Sequence, residues 1–193
     1  MYNFIKIFKN KLKIRFNIYY IFENNNKHSS IITIDKKFKF LVIDNIEKTK
    51  LINTKDYKSN LFLEEGIKKK CIAFCITHNN NFAHITWISN SNISKKFVDE
   101  CPMRINWHNT IVWGRAFTDP LYRNKGLYSF TQQQIQNYHV KYNFKYQKFS
   151  IKRNNIPSIK AMKKFKPKIV AISLYIRLYK FNFRINIPYF KEI

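Results

Sequence analysis

The chain is poor in residues that usually mark special chemistry or special backbone. Three cysteines in 193 residues, Cys71, Cys75 and Cys101, are an odd number, and no Cys-x-x-Cys pair is matched by a second. Neither a disulfide framework nor a zinc site is supported, and no other metal site is expected. Cys71 and Cys75 are expected to pack as small apolar side chains. No apolar run approaches the about 18 residues that a spanning helix needs, and the basic N-terminus holds no uninterrupted apolar core of signal-peptide length, so the expectation is a soluble cytoplasmic protein without a transmembrane segment. Acidic residues number 11 against 36 lysines and arginines, and from Pro120 to Phe190 there is no carboxylate at all. Any carboxylate base must come from earlier in the chain, where Asp99, Glu100 and Asp119 are nearest. Glycine occurs three times, at Gly66, Gly114 and Gly126. Two of the three bracket one strand-to-turn passage, which points to backbone geometry as their reason.

What the chain does hold is apolar material, at 45% of residues with 17% aromatic, enough to argue against disorder. Its length fits a single domain, 1–193, with a real core. The formal charge of +25 admits two readings. One is an anionic partner, nucleic acid or a membrane surface. The other is the coding bias of an AT-rich genome, which enriches Lys, Asn, Ile, Phe and Tyr together. The lysines are spread along the whole chain and most aromatics fall on periodic apolar faces, so specific nucleic-acid binding is not expected.

Ile5, Phe8, Leu12, Phe16 and Tyr19 fall at helical spacing between lysines, and from Ile14 to Phe22 the pattern changes to strict alternation, which predicts a short basic helix followed by a strand. Such a helix either covers the core or lies on anionic lipid. A strand over Lys39–Asp44, polar helical material over Asp44–Lys70, and a hairpin of Cys71–Thr77 with Phe82–Ile88 follow, the hairpin turning through His78-Asn79-Asn80-Asn81 with asparagines at positive φ. Ser89–Asn109 lacks a period and is a candidate lid or substrate loop. Beyond it, Leu127, Phe130, Ile135, Tyr138 and Tyr142 form an apolar helical stripe with Gln132, Gln133 and Gln136 facing out. Tyr146–Ile151 is a strand, Pro157–Phe165 a short helix with proline in its first turn, Ile169–Tyr179 an alternating strand, and Phe181–Phe190 a last edge strand that tolerates Pro188.

The stretch Thr110–Phe165 organises the rest. An apolar run, Ile111–Phe117, enters the turn Tyr122-Arg123-Asn124-Lys125-Gly126-Leu127 through Thr118-Asp119-Pro120, and a helix leaves it. Backbone amides without partners in the first helical turn, the helix dipole, and the charges of Arg123 and Lys125 make that turn an anion cradle suited to a pyrophosphate. Arg123-Asn124-Lys125-Gly126-Leu127-Tyr128 resembles the Arg/Gln-x-x-Gly-x-Gly/Ala signature of the GNAT superfamily of N-acetyltransferases. Asn155-Ile156-Pro157-Ser158, before Met162-Lys163-Lys164, resembles that family's second landmark. The resemblance covers roughly the C-terminal half, with core motifs over 110–165. It implies a mixed α/β fold: a mostly antiparallel central sheet, splayed at its middle, with helices on both faces.

It also implies acetyl-CoA or another acyl-CoA as co-substrate, held by Phe117, Thr118, Arg123, Asn124, Lys125, Gly126, Leu127, Tyr128 and Ser129, with Asn155 and Ser158 from the second motif. The acceptor would be an amine, on a small molecule, an amino sugar or a protein. Two departures stand out: Tyr128 occupies a position where the family has Gly or Ala, and Met162 stands where the family's usual acid is a tyrosine. Direct attack by an amine needs a base and an acid. His84, His108 and Tyr128 are the candidates for these roles, and His84 is open to the alternative of a packed strand histidine. Asp119 is expected to shape the turn through its side chain. The competing functional readings are a catalytically degenerate coenzyme A-binding protein on the same fold and a nucleic-acid-binding protein.

Overall fold

The computed structural model describes residues 15–25, 31–53, 57–178 and 181–192. In chain order its elements are β1 (Arg15–Asn24), β2 (Phe38–Ile43), α1 (Ile46–Thr49), α2 (Tyr57–Lys68), β3 (Ile72–His78), β4 (Asn81–Ser89), α3 (Asn92–Val98), β5 (Thr110–Thr118), α4 (Leu127–Lys141), β6 (Tyr146–Lys152), α5 (Ile156–Met162), β7 (Lys168–Leu178) and β8 (Phe181–Glu192). The hydrogen-bonded strand order is β2-β3-β4-β5-β6-β1-β7-β8. Pairing is antiparallel from β2 to β5 and across β1, β7 and β8, and parallel between β5 and β6. The mixed, mostly antiparallel sheet is the expected one.

The chain forms two compact units, one of Asn24–Glu100 with Ile105–Phe149, the other of Met1–Glu23, Cys101–Arg104 and Ser150–Ile193. In the first, β3 and β4 make the predicted hairpin. The turn is tighter than expected, because His78 and Asn81 pair as strand residues and leave Asn79 and Asn80 alone at φ 49° and 61°. Those are the primed-turn geometries that match strand twist and that asparagine tolerates. Helices cover both faces of this sheet. Phe40 meets Phe130 and Phe74 meets Tyr138 at ring separations of 5.8 and 5.6 Å, which places α4 on one face. Trp87 follows Thr86, the partner of Phe74, so it points to the other face, where it meets Phe97 of α3 at 5.1 Å. There Gly66 of α2 also lies against it: a Cβ added at Gly66 would stand 2.4 Å from the Trp87 ring. Cys71 and Cys75 are buried and unbridged, Cys71 with its thiol pushed up to about 12 by desolvation.

β5 pairs with β6 only over Thr110–Val112, and from Arg115 to Phe117 its residues are exposed. Opposite Thr86 it carries a bulge: Trp87 pairs with Gly114 and Ile85 with Phe117, leaving Arg115 and Ala116 against one residue, with Arg115 at φ 45°. Arg115 is held by Nη1 donating to the Phe97 carbonyl at 3.3 Å and by its guanidinium over the Phe97 ring at 4.3 Å.

The second unit carries β1, β7 and β8, each expected as a strand, in antiparallel register. Its short helix α5 has Pro157 in the first turn, and Met162 and Phe165 are buried there.

Two expectations need correction. Ser89–Asn109 is not wholly irregular: α3 forms within it, seated by hydroxyl contacts of Ser94 with Ser89 at 2.6 Å and with Ser91 at 2.9 Å, and Phe97 packs on Trp87. Asn92–Val98 is thereby anchored to the sheet, and only the remainder of the segment is irregular. The glutamines of α4 do not face out either; Gln132, Gln133 and Gln136 are buried, and Tyr142 is exposed. The segment 31–34 lies against the helix, with Ile32 N donating to Gln133 Oε1 at 2.8 Å, so the apolar stripe marks only part of the helix's buried surface. The helical reading of residues 5–12 lies outside the described residues.

Gly114 admits a close approach: a Cβ there would sit 2.6 Å from the Val98 carbonyl oxygen, a backbone atom that cannot rotate away. Gly114→Ala should cost on the order of 1–3 kcal/mol in urea unfolding, the range for overpacking. An unchanged midpoint would show that α3 can shift at no cost.

Candidate functional site

The site is built where β5 ends. Asp119 N donates to the Ala83 carbonyl at 3.0 Å, and Asp119 Oδ1 accepts from Leu121 N at 2.8 Å, capping the 3-10 turn Pro120–Tyr122. Asp119 therefore shapes the turn, as its position predicts. Arg123 bends back so that Nε donates to the Thr118 carbonyl at 3.4 Å, and Lys125 sits 5.9 Å above the Tyr122 ring. Tyr122 packs in turn on Phe38. Asn124 at φ 62° and Gly126 at φ 73° reverse the chain into α4.

Gly126 is the N-cap residue of α4 and no side chain caps the helix, so the amides of its first turn have no partner supplied by a cap. A Cβ added at Gly126 would meet nothing within 4 Å, so the space beside that glycine is open. Arg123, Asn124, Lys125 and Gly126 are exposed, whereas Leu127 turns inward to pack with Phe38, Ile76 and Ala83. Burying that leucine contributes roughly 1.5–3 kcal/mol and fixes the helix start beneath the exposed turn. Ser129 is buried, and Phe117 is half exposed, stacked on Phe82 at 6.0 Å.

Beneath the turn lies a polar group that sequence reasoning only half resolved. His84 is fully buried, with Nδ1 at 2.7 Å from Thr118 Oγ1 and Nε2 at 3.0 Å from Thr86 Oγ1. Burial lowers its pKa to about 3, so the ring is neutral at physiological pH. His84 is thus the packed, hydrogen-bonded strand histidine that was its alternative reading. Thr86, two residues along the same face, was missed; its signal was the alternation itself, which puts residues 84 and 86 side by side. Tyr128, in the first turn of α4, presents its ring to His84 edge-on at 6.0 Å, and burial raises its phenol above the ordinary value.

His108 is not brought to this place. It is exposed in the turn that precedes β5, its N–H donating to Asn106 Oδ1 at 3.2 Å, while the site follows the other end of that strand, about 25 Å away at strand rise. Asn155 and Ser158 belong to the second unit, where Asn155 Oδ1 accepts from Ser158 N at 3.3 Å and caps α5. Among the described residues, no group of three His, Cys, Asp or Glu is placed to hold a metal ion, and no helix is long and apolar enough to cross a membrane.

No family model matches the sequence, and no curated protein matches it. Solved structures do. A GCN5-related N-acetyltransferase-like protein from Streptococcus suis superposes with a TM-score of 0.56 at 12% identity, over 90% of this chain and 67% of that one. A tandem GNAT protein from the clavulanic acid biosynthesis pathway gives 0.55 at 10% identity, over 83% and 54%. A GNAT-family acetyltransferase from Colwellia psychrerythraea gives 0.50 at 12%, over 78% and 52%. The chain spans about half to two thirds of the length of these relatives. The fold is that of the GNAT acetyltransferases.

The buried histidine sets a pH dependence. With an ordinary value of 6.5 and a folded value of about 3, the unfolded chain binds one more proton at His84 between those limits. The histidine costs the fold nothing above the upper limit, and stability falls by up to about 1.4 kcal/mol per pH unit as pH drops through the window. In urea unfolding from pH 8 to 4, His84→Gln should lack that component, so its stability difference from wild type shrinks below pH 6.5. A difference that stays constant down to pH 4 would contradict a neutral His84.

Proposed function

We propose that the chain is an acyltransferase, acting as a single domain in the cytoplasm, that moves an acetyl or related acyl group from acyl-coenzyme A to an amine. The observation that carries this reading is the open, uncapped N-terminus of α4 at Gly126 beside Arg123 and Lys125. It offers amides, dipole and two cations to a pyrophosphate, and the one carboxylate in the turn, Asp119, is engaged by Leu121 N. Asn124, Leu127, Tyr128 and Ser129 supply the remaining amides of the cradle. Phe117 and Thr118, on the exposed end of β5, flank the pantetheine arm. The acceptor is an amine of a small molecule, an amino sugar or a protein.

In the transfer, a bond forms from the amine nitrogen to the thioester carbonyl carbon, the carbon–sulfur bond breaks, the nitrogen loses a proton and the departing sulfur gains one. Tyr128 suits the second proton. Its burial keeps the phenol protonated, which fits a donor and not a base. A neutral histidine bonded at both nitrogens is a poor proton acceptor, so His84 serves to hold Thr118 in place, and the amine enters as its free base.

Calorimetric titration with acetyl-coenzyme A should give micromolar affinity, and Gly126→Asp, which adds a negative charge in front of the amides, should weaken it at least about tenfold. Tyr128→Phe should lower turnover with affinity retained. Undiminished affinity in Gly126→Asp would remove the cradle, and full turnover in Tyr128→Phe would remove the acid.

A further inference from the structure

The second unit carries an apolar sheet face that the catalytic reading does not use. Ile176 of β7 stands between Phe16 of β1 and Phe183 of β8, and Leu174 stands between Ile18 and Ile185. A third apolar row follows two residues further on. Phe16 is 52% exposed, and Phe183, Ile185 and Ile187 are each 53% exposed. On β8 the large apolar side chains Phe183, Ile185 and Ile187 share this one face, while the opposite face is exposed too but polar, at Arg184 and Asn186. There Arg184 lies over Tyr175 at 4.8 Å and Asn186 Nδ2 donates to the Pro102 carbonyl at 2.7 Å, so β8 is anchored.

A large apolar side chain carries roughly 150–250 Å² of surface, so four at half exposure present about 400 Å², and their partly exposed neighbours bring the face to about 600 Å². That is the upper end of what a monomer exposes, and doubled it reaches the lower limit of a stable protein–protein interface, about 1,200 Å². The chemistry of the face selects the occupant. In a chain of 36 lysines and arginines, none of its three rows contains a charge. A membrane or an acidic partner would be met by lysine and arginine within the contact. An uncharged apolar surface is matched by another of the same kind, and a two-fold axis supplies one.

We propose that this β1-β7-β8 face is the interface of a homodimer, closed by two-fold symmetry. Each copy carries +25, so association should strengthen as salt screens the repulsion, the reverse of binding to nucleic acid or anionic lipid. Sedimentation equilibrium of the full chain at micromolar concentrations should show a dimer that tightens with added sodium chloride. Phe183→Lys with Ile185→Lys should raise the dissociation constant at least about a hundredfold, and the milder Ile185→Thr about tenfold, with circular dichroism unchanged. A wild-type monomer at every concentration and salt would overturn the proposal, as would a double variant that stays dimeric. A monomer in which the amides of this face are protected from exchange would assign the cover to residues 1–14 of the same chain. Capture by anionic vesicles, lost in the double variant, would assign it to lipid.

Discussion

Everything at the candidate site hangs from the way the end of β5 is tied to β4. The strand has left β6 after Val112 and bulges at Arg115 and Ala116, so its last residues are held from one side only. Two bonds do this, the Asp119 amide to the Ala83 carbonyl and the Thr118 hydroxyl with His84, and the Asp119 carboxylate, accepting from Leu121 N, shapes the turn that follows. They fix where the chain leaves the sheet, hence where Gly126 reverses it and where the amides of α4 point. Leu127, sunk among Phe38, Ile76 and Ala83, holds the helix from below. A cradle made of backbone needs such fixing, because its binding energy depends on donors already in place.

Most of this was legible in the sequence because it rests on local chemistry. Asparagines at 79 and 80 mark a turn with positive φ, glycine at 126 marks another, and alternation marks the strands. What escaped was set by distant parts of the chain. Gln132, Gln133 and Gln136 look solvated by type and period, yet the segment 31–34 lies over Gln133 of the helix. The helix over Asn92–Val98 is too short to show a period, and it is defined by Phe97 meeting Trp87 and by serine hydroxyls that meet only after folding. His84 was visible as a histidine on a strand, but its state depends on Thr118, 34 residues away in sequence. His108 was singled out by residue type alone, and the structure places it exposed in the turn before β5, at the other end of the strand from the candidate site.

The ionisable groups explain the style of chemistry proposed. The acidic residues Asp35, Asp44, Glu47, Glu64 and Glu65 are each bonded to a lysine close by in sequence. The turn itself is left cationic. Beneath it lie a histidine that burial keeps neutral and a partly buried tyrosine whose phenol desolvation pushes above the ordinary value. Under the proposed function, positioning carries most of the transfer. The apolar face of β1, β7 and β8 lies in the other compact unit, and its role is separable from the cradle's.

The central claim is that the amides from Asn124 to Ser129 receive the phosphates of coenzyme A. Backbone amide resonances of the labelled protein, followed during a titration with coenzyme A, test it residue by residue. The account predicts the largest displacements at Gly126, Leu127 and Tyr128, with the N–H signals moving downfield as they take up an anionic acceptor. Saturable binding that leaves those amides unmoved, or displacements centred elsewhere on the sheet, would contradict it.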